Sequence, residues 1–307
     1  MKSKKIILLS IAIIFYLLFF YLTPDRFSSQ SILVNTNQNS LHRFFLDDDK
    51  TGRWWAAYKR ANPHSTINIT QINHYYSSNL ISLEIKNGGD LTKSEMRIIP
   101  SAANTSYLRW QLDQPRNKNP VKRLENILHR NRTVSIMKSI LSSLKEYTEK
   151  NENIYGCIIQ KTKVKDTLLA VTKSVLNEYP VMPYVYKQIA YLKQHIDQQK
   201  AEERNFPMLY IFKTDNGRFE ATIAIPVNKA IKNSKAIVTE HMVAGDILRT
   251  QCKGGPSEIR KAFKGLENYM QDYQYSSPAL PFELLMVDRL KEADTAKWVT
   301  GIYYPIY

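Results

Sequence analysis

The sequence predicts an α+β protein in three segments. An apolar helix and its flanks occupy 1–27, a helix-closed antiparallel sheet spans 28–150, and 151–307 holds two strand-helix-strand-strand repeats. Three observations predict this order. The run Ile6 to Leu22 is apolar apart from Ser10 and its tyrosines. Five short β-patterned segments precede one long amphipathic pattern that begins at Pro120. A Pro-started strand and a Pro-ended strand each occur twice in the last half.

The N-terminal run, taken as a helix rising ~1.5 Å per residue, spans about 25 Å, near the lower limit for a bilayer core. It exceeds a secretory h-region of about 7–15 residues, and no small-x-small cleavage site follows. Thr23-Pro24-Asp25 ends it. An uncleaved anchor is therefore expected. Lys2, Lys4 and Lys5 precede the run, which favours a cytoplasmic N-terminus in a single-pass cell membrane. The rest of the chain is then expected in the periplasm or outside the cell.

Over 28–150, strand character falls on Ser31 to Val34, Thr66 to Ile72, Leu80 to Ile85, Ser94 to Ile99 and Tyr107 to Leu112. Asn87-Gly88-Gly89 is a hairpin signal and Pro100 to Asn104 a looser turn. Asn119-Pro120 supplies a cap and a first-turn proline. Val121, Leu124, Ile127 and Leu128, then Ile136, Met137, Ile140, Leu141 and Leu144, recur at helical steps up to about residue 149. A long helix laid across a curved sheet accounts for both patterns. With Leu41 to Leu46 and Trp54-Trp55 before the meander, this segment resembles the SRPBCC helix-grip family, similar to polyketide cyclase domains. That resemblance implies an apolar cavity and supplies no catalytic motif. Trp54, Trp55 and Trp110 are expected in the core.

The last half carries the internal repeat. Phe206-Pro207-Met208-Leu209-Tyr210-Ile211-Phe212 matches Leu280-Pro281-Phe282-Glu283-Leu284-Leu285-Met286, and Thr222 to Val227 matches Gly301 to Ile306. Amphipathic helices are expected over Pro183 to Gln199 and Pro256 to Tyr273. Strand material precedes each: Ile158 to Lys163 with Leu168 to Val171, and Ala236 to Met242 with Asp246 to Thr250. Gly254-Gly255-Pro256 feeds the second helix. Two halves related by a pseudo-twofold are expected to bury their sheets against each other's helices, leaving a groove between them as a ligand site.

The motifs Ala244-Gly245-Asp246 with Gly254-Gly255, Pro281-Phe282-Glu283 and Ile302-Tyr303-Tyr304-Pro305-Ile306 resemble the GyrI-like family, found also as the effector-binding half of AraC-type and MerR-type regulators. The resemblance implies that Glu283 lines the pocket and pairs with cationic aromatic ligands. Independently of it, Glu283 corresponds in the repeat to Leu209, so one half holds a carboxylate where the other is apolar. A carboxylate on an inward face costs energy unless it is paired or protonated. Tyr184, Tyr186, Tyr269, Trp298 and Tyr303 are the aromatic candidates for the same pocket, offering ring faces to a cation. The charged stretch Lys291 to Lys297 carries no obvious motif.

The net charge is +15, spread along the whole chain. With no zinc-finger spacing and no helix-turn-helix, nucleic acid is not expected as a partner. Cys157 and Cys252 are the sole cysteines, and neither a CxxC nor a His/Cys cluster points to a metal. Two unpaired thiols are expected, with one bridge open in an oxidising compartment. No cofactor is called for. The leading expectation is a membrane-anchored protein that binds a small apolar or cationic molecule. The alternatives are a hydrolase with Glu283 as general base and His241 as a weak second group, and a regulatory or interaction protein without its own DNA-binding domain.

Overall fold

A computed structural model describes residues 14–15, 28–75, 79–87, 90–112, 120–165 and 167–307. The expected anchor therefore lies outside the described residues, apart from Ile14 and Phe15, which are helical and exposed. Among the described residues, no helix is long and apolar enough to cross a membrane. The fold is α+β, with two antiparallel sheets. Two compact units divide the chain at Glu149 and Lys150.

The first unit holds one five-stranded sheet. Its strands are β1 (Ser28–Val34), β2 (Ile67–Tyr75), β3 (Leu80–Asn87), β4 (Asp90–Ala102) and β5 (Thr105–Leu112), in the order β1-β5-β4-β3-β2. Alternation sets the buried face: Ile81, Leu83 and Ile85 on β3, and Leu108, Trp110 and Leu112 on β5. Pro100 sits where the β4–β5 register shifts, a place that tolerates its missing N–H. Helices α1 (Gln38–Phe45) and α2 (Asp48–Ala61) connect β1 to β2. Each is capped by an acceptor side chain, Asn37 onto the Ser40 amide and Asp47 onto the Lys50 amide. The 29-residue α3 (Pro120–Thr148) buries Met137, Ile140, Leu141 and Leu144. Its expected cap Asn119 lies outside the described residues. Trp54 and Trp110 are fully buried, and the Trp110 indole donates to Ser94 Oγ at 3.0 Å, so both belong to the core.

The second unit holds an eight-stranded antiparallel sheet and two long helices. After the short α4 (Asn151–Tyr155) come β6 (Gln160–Lys163), β7 (Leu168–Leu176), α5 (Met182–Gln198), β8 (Met208–Lys213) and β9 (Phe219–Pro226). The second set is β10 (Val238–His241), β11 (Asp246–Lys253), α6 (Pro256–Tyr273), β12 (Phe282–Leu285) and β13 (Val299–Ile306). The sheet order is β10-β7-β9-β8-β12-β13-β11-β6.

Two features correct the expected packing. The halves do not cover each other's helices: α5 packs on β7 and β9, and α6 on β11 and β13, each on its own half. The halves join edge to edge instead, through β8 and β12, where Leu209 faces Glu283 and Met208 faces Leu284. Because Leu209 and Glu283 are repeat counterparts, the pseudo-twofold passes through that pair. Each repeat also opens with a short strand, within the expected strand material Ile158 to Lys163 and Ala236 to Met242, and that strand crosses over. β6 pairs with β11 of the second half, and β10 with β7 of the first.

Two glycines are required by this geometry. Gly254 has φ +134°, a conformation that side chains rarely adopt, and its amide bonds Trp298 O at 2.9 Å. A Cβ on Gly265 of α6 would lie 2.6 Å from Tyr155 O and 2.7 Å from Cys157 Sγ, so only glycine lets α4 lie against α6. Both cysteines are free thiols; Cys157 is buried and Cys252 half-buried.

Candidate functional site

Strand parity decides what faces the helices. Leu209 and Leu285 share a buried cluster with Val185, Ile189, Leu192 and Ile196 of α5, so the odd positions of β12 face that way. Glu283 stands on the same face, flanked by Leu209 on β8 and Ile302 on β13. Phe282, Leu284 and Met208 turn to the opposite face with Ile247.

A groove of about 640 Å³ opens over the β8–β12 junction. Tyr179, just before α5, and Met182 at its start form one wall, and Pro256, Ile259, Arg260, Phe263 and Glu267 of α6 the other. Leu209, Ile211, Glu283 and Tyr304 line it from the strands, and Arg289 and Trp298 from the loop before β13. A cavity of this volume, largely apolar with a few convergent polar groups, has the dimensions of small-molecule sites.

The groove's centre is an ion pair. Arg289 Nη2 donates to Glu283 Oε2 at 2.9 Å and to Thr300 Oγ1 at 2.7 Å. The Arg289 side chain is 3% exposed and that of Glu283 18%. The guanidinium lies 4.8 Å from the centre of the Trp298 ring, within cation–π range. Arg289 Nε is buried without a hydrogen-bond partner among the described residues. Burial raises the Cys252 thiol to about 11, helped by the Glu283 charge. Burial also lifts the Tyr304 phenol to about 12, helped by the Glu267 carboxylate.

The loop that presents Arg289 is itself held. The Tyr186 hydroxyl accepts from the Arg289 amide at 2.8 Å and donates to Val287 O at 3.0 Å. The charged stretch after it ends in a single turn of 3-10 helix, Thr295–Lys297, capped by Asp294. Trp298 follows, and its indole donates to Glu292 O at 2.9 Å. Lys291 to Lys297 thus sets the ring on which Arg289 rests.

The sequence-predicted residues separate accordingly. Glu283 and Trp298 both line the groove, while Tyr186 braces its loop from outside. Tyr184 lies at the start of α5 and is not in the lining. Tyr303 stacks on Phe282 on the opposite face, ring centres 5.3 Å apart, and lines a separate cavity of about 160 Å³ there. Tyr269 belongs to another aromatic group, stacked on Tyr273 at 4.3 Å and edge-on to Tyr155 at 5.2 Å. Arg289, Arg260, Tyr304 and Tyr179 were not singled out from sequence. Tyr304 lies one residue from Tyr303 on β13, so the register that turns Tyr303 away brings Tyr304 to the groove. Nothing in sequence marks Arg289, a loop arginine six residues beyond its partner. His241 lies on the edge strand β10, not in the groove. Among the described residues no group of three or more His, Cys, Asp or Glu is placed to hold a metal ion.

No family model and no curated protein matches the chain. Among solved structures, the chain is similar to the EcmrR C-terminal domain at 17% identity, covering 49% of this chain and 98% of that one, with a TM-score of 0.42. It is similar to SAV2435, solved bound to tetraphenylphosphonium, at 16% identity, covering 48% and 93%, with a TM-score of 0.32. A hydrolase from Listeria innocua is similar at 8% identity, covering 48% and 91%, with a TM-score of 0.38.

Proposed function

We propose that the second unit is a GyrI-like small-molecule-binding module, and that its ligand lies in the groove between α5 and α6. The observation that carries this reading is the built centre of that groove. Over the seam of the two halves, Arg289 holds both the Glu283 carboxylate and Thr300, and the Trp298 indole beneath it is fixed to Glu292 O. Around them, Phe263, Ile259, Ile211 and Leu209 offer apolar surface for a ring system. Burying such a ring releases about 25 cal/mol per Å² of apolar area.

The apolar run at 6–22 is proposed to tether this module to a membrane. That part of the reading rests on the sequence alone. The hydrolase alternative draws less support. Glu283, its proposed base, is held in an ion pair by Arg289, and among the described residues the lining holds no His, Cys, Ser or Lys, leaving Glu267 and the tyrosines as its other acid-base groups.

Calorimetric titration of an aromatic probe such as 2-naphthamide tests the binding reading. Phe263→Ala removes a groove wall and should weaken binding by about tenfold, the consequence of losing roughly 1.4 kcal/mol of ring contact. Unchanged affinity in that variant would remove the groove from the account.

A further inference from the structure

The groove's charges fall into two compensated pairs and one remainder. Glu283 is neutralised within the protein by Arg289 at 2.9 Å. Glu267 is met by Lys264 at 3.4 Å and by the Tyr304 hydroxyl at 3.4 Å. Arg260, on the α6 wall, has no ion pair among the described residues. The buried Arg289 Nε is likewise a donor without an acceptor among the described residues. We propose that the groove selects an anionic aromatic ligand: a ring over Phe263 and Trp298, with a carboxylate or similar acid on Arg260. This rests on the groove being the ligand site, and it reverses the cationic preference expected from sequence.

The physical argument is one of competition. A cation approaching Glu283 must displace a guanidinium that already holds that carboxylate, stacks on Trp298 and donates to Thr300. The protein's own arginine thus occupies the place an aromatic cation would take. Breaking a buried pair by removing one partner costs about 3–5 kcal/mol, which a cationic ligand would have to recover before gaining affinity. An anion meets no such cost, because the Arg260 charge on the exposed α6 wall is available to it.

Three probes sharing one ring test this: 2-naphthoate, the neutral 2-naphthamide, and the cation 2-naphthylmethylammonium. Each is titrated by calorimetry into the full chain in zwitterionic nanodiscs, with empty nanodiscs as blank. The naphthoate should bind about five- to tenfold tighter than the amide, and the ammonium weakest of all. Arg260→Gln should erase the gap between naphthoate and amide. Arg289→Met should let the ammonium bind, and Glu283→Gln on that background should abolish the gain. Tightest binding of the ammonium by the wild-type chain would overturn the proposal. Equal binding of naphthoate and amide would overturn it too, with the groove reading left standing. Binding of none of the three would end both.

Discussion

Arg289 closes on Glu283 at 2.9 Å, with the guanidinium side chain 3% exposed and its face against Trp298. The carboxylate that stands where the other repeat holds Leu209 is therefore answered from within the chain. Desolvating the two charges is offset by their attraction, by the Thr300 hydroxyl and by the ring. Pairing with Arg289 lets a carboxylate stand on this inward face.

Removing either partner leaves the other buried and uncompensated. Arg289→Met and Glu283→Gln are each expected to destabilise the second unit by about 3 kcal/mol. The double variant Glu283→Leu/Arg289→Met should lose less than the sum of the single losses. Denaturant unfolding of the four proteins checks this; additive losses would mean the pair is not coupled.

Strand parity supplies a second prediction. Tyr304 faces the groove, and Tyr303 stacks on Phe282 behind the sheet. Tyr304→Ala should weaken ligand binding by about tenfold, while Tyr303→Ala should leave it within about twofold. Titration of both variants decides which face carries the ligand.

The same pair shows what the sequence could yield. The main strands and the two long helices of the second unit were legible in order, because helical and alternating periods are local, whereas the five-residue α4 was not. The α6 helix falls on the expected residues, Pro256 to Tyr273. The facing of β13 was not legible, since parity along a strand is fixed by its neighbours' register. Nor was the exchange of β6 and β10, where four-residue strands choose between two equivalent edges. Arg289 sits in a loop, and no periodicity links it to Glu283. In the first unit the meander and long helix were read from alternation and from the 3.6-residue step.

Acid should loosen the first unit. His42 Nδ1 and His74 Nε2 lie 2.6 Å apart, with His42 Nε2 against Asn79 Oδ1 at 2.9 Å. Burial depresses His74 to about 4, and the neighbouring His42 adds to this; burial also lowers His42. Both rings are held neutral in the fold while the unfolded chain protonates them below about 6.5. Their contribution is therefore present above pH 6.5 and lost as pH falls from there toward 4. Unfolding midpoints at pH 7 and pH 5 should differ in that sense, and His74→Phe should shrink the difference.

Gly265 is a packing prediction. With Tyr155 O 2.6 Å and Cys157 Sγ 2.7 Å from a modest added Cβ, Gly265→Ala forces α4 off α6. A loss of about 1–3 kcal/mol is expected, against the gain that alanine brings to an ordinary helix position. A stabilised variant would contradict the close approach.

The membrane tether is tested by fractionation. Deletion of residues 1–27 should move the protein from the membrane pellet to the soluble fraction without changing ligand affinity. A deletion protein that still pellets would place the attachment elsewhere.

The most direct measurement is the indole N–H resonance of Trp298 during ligand titration. It is the only tryptophan of the second unit, the others being Trp54, Trp55 and Trp110. Occupation of the groove should shift that resonance saturably and leave the other three in place. A bound ligand that leaves Trp298 unmoved would contradict the assignment of the groove between α5 and α6 as the binding site.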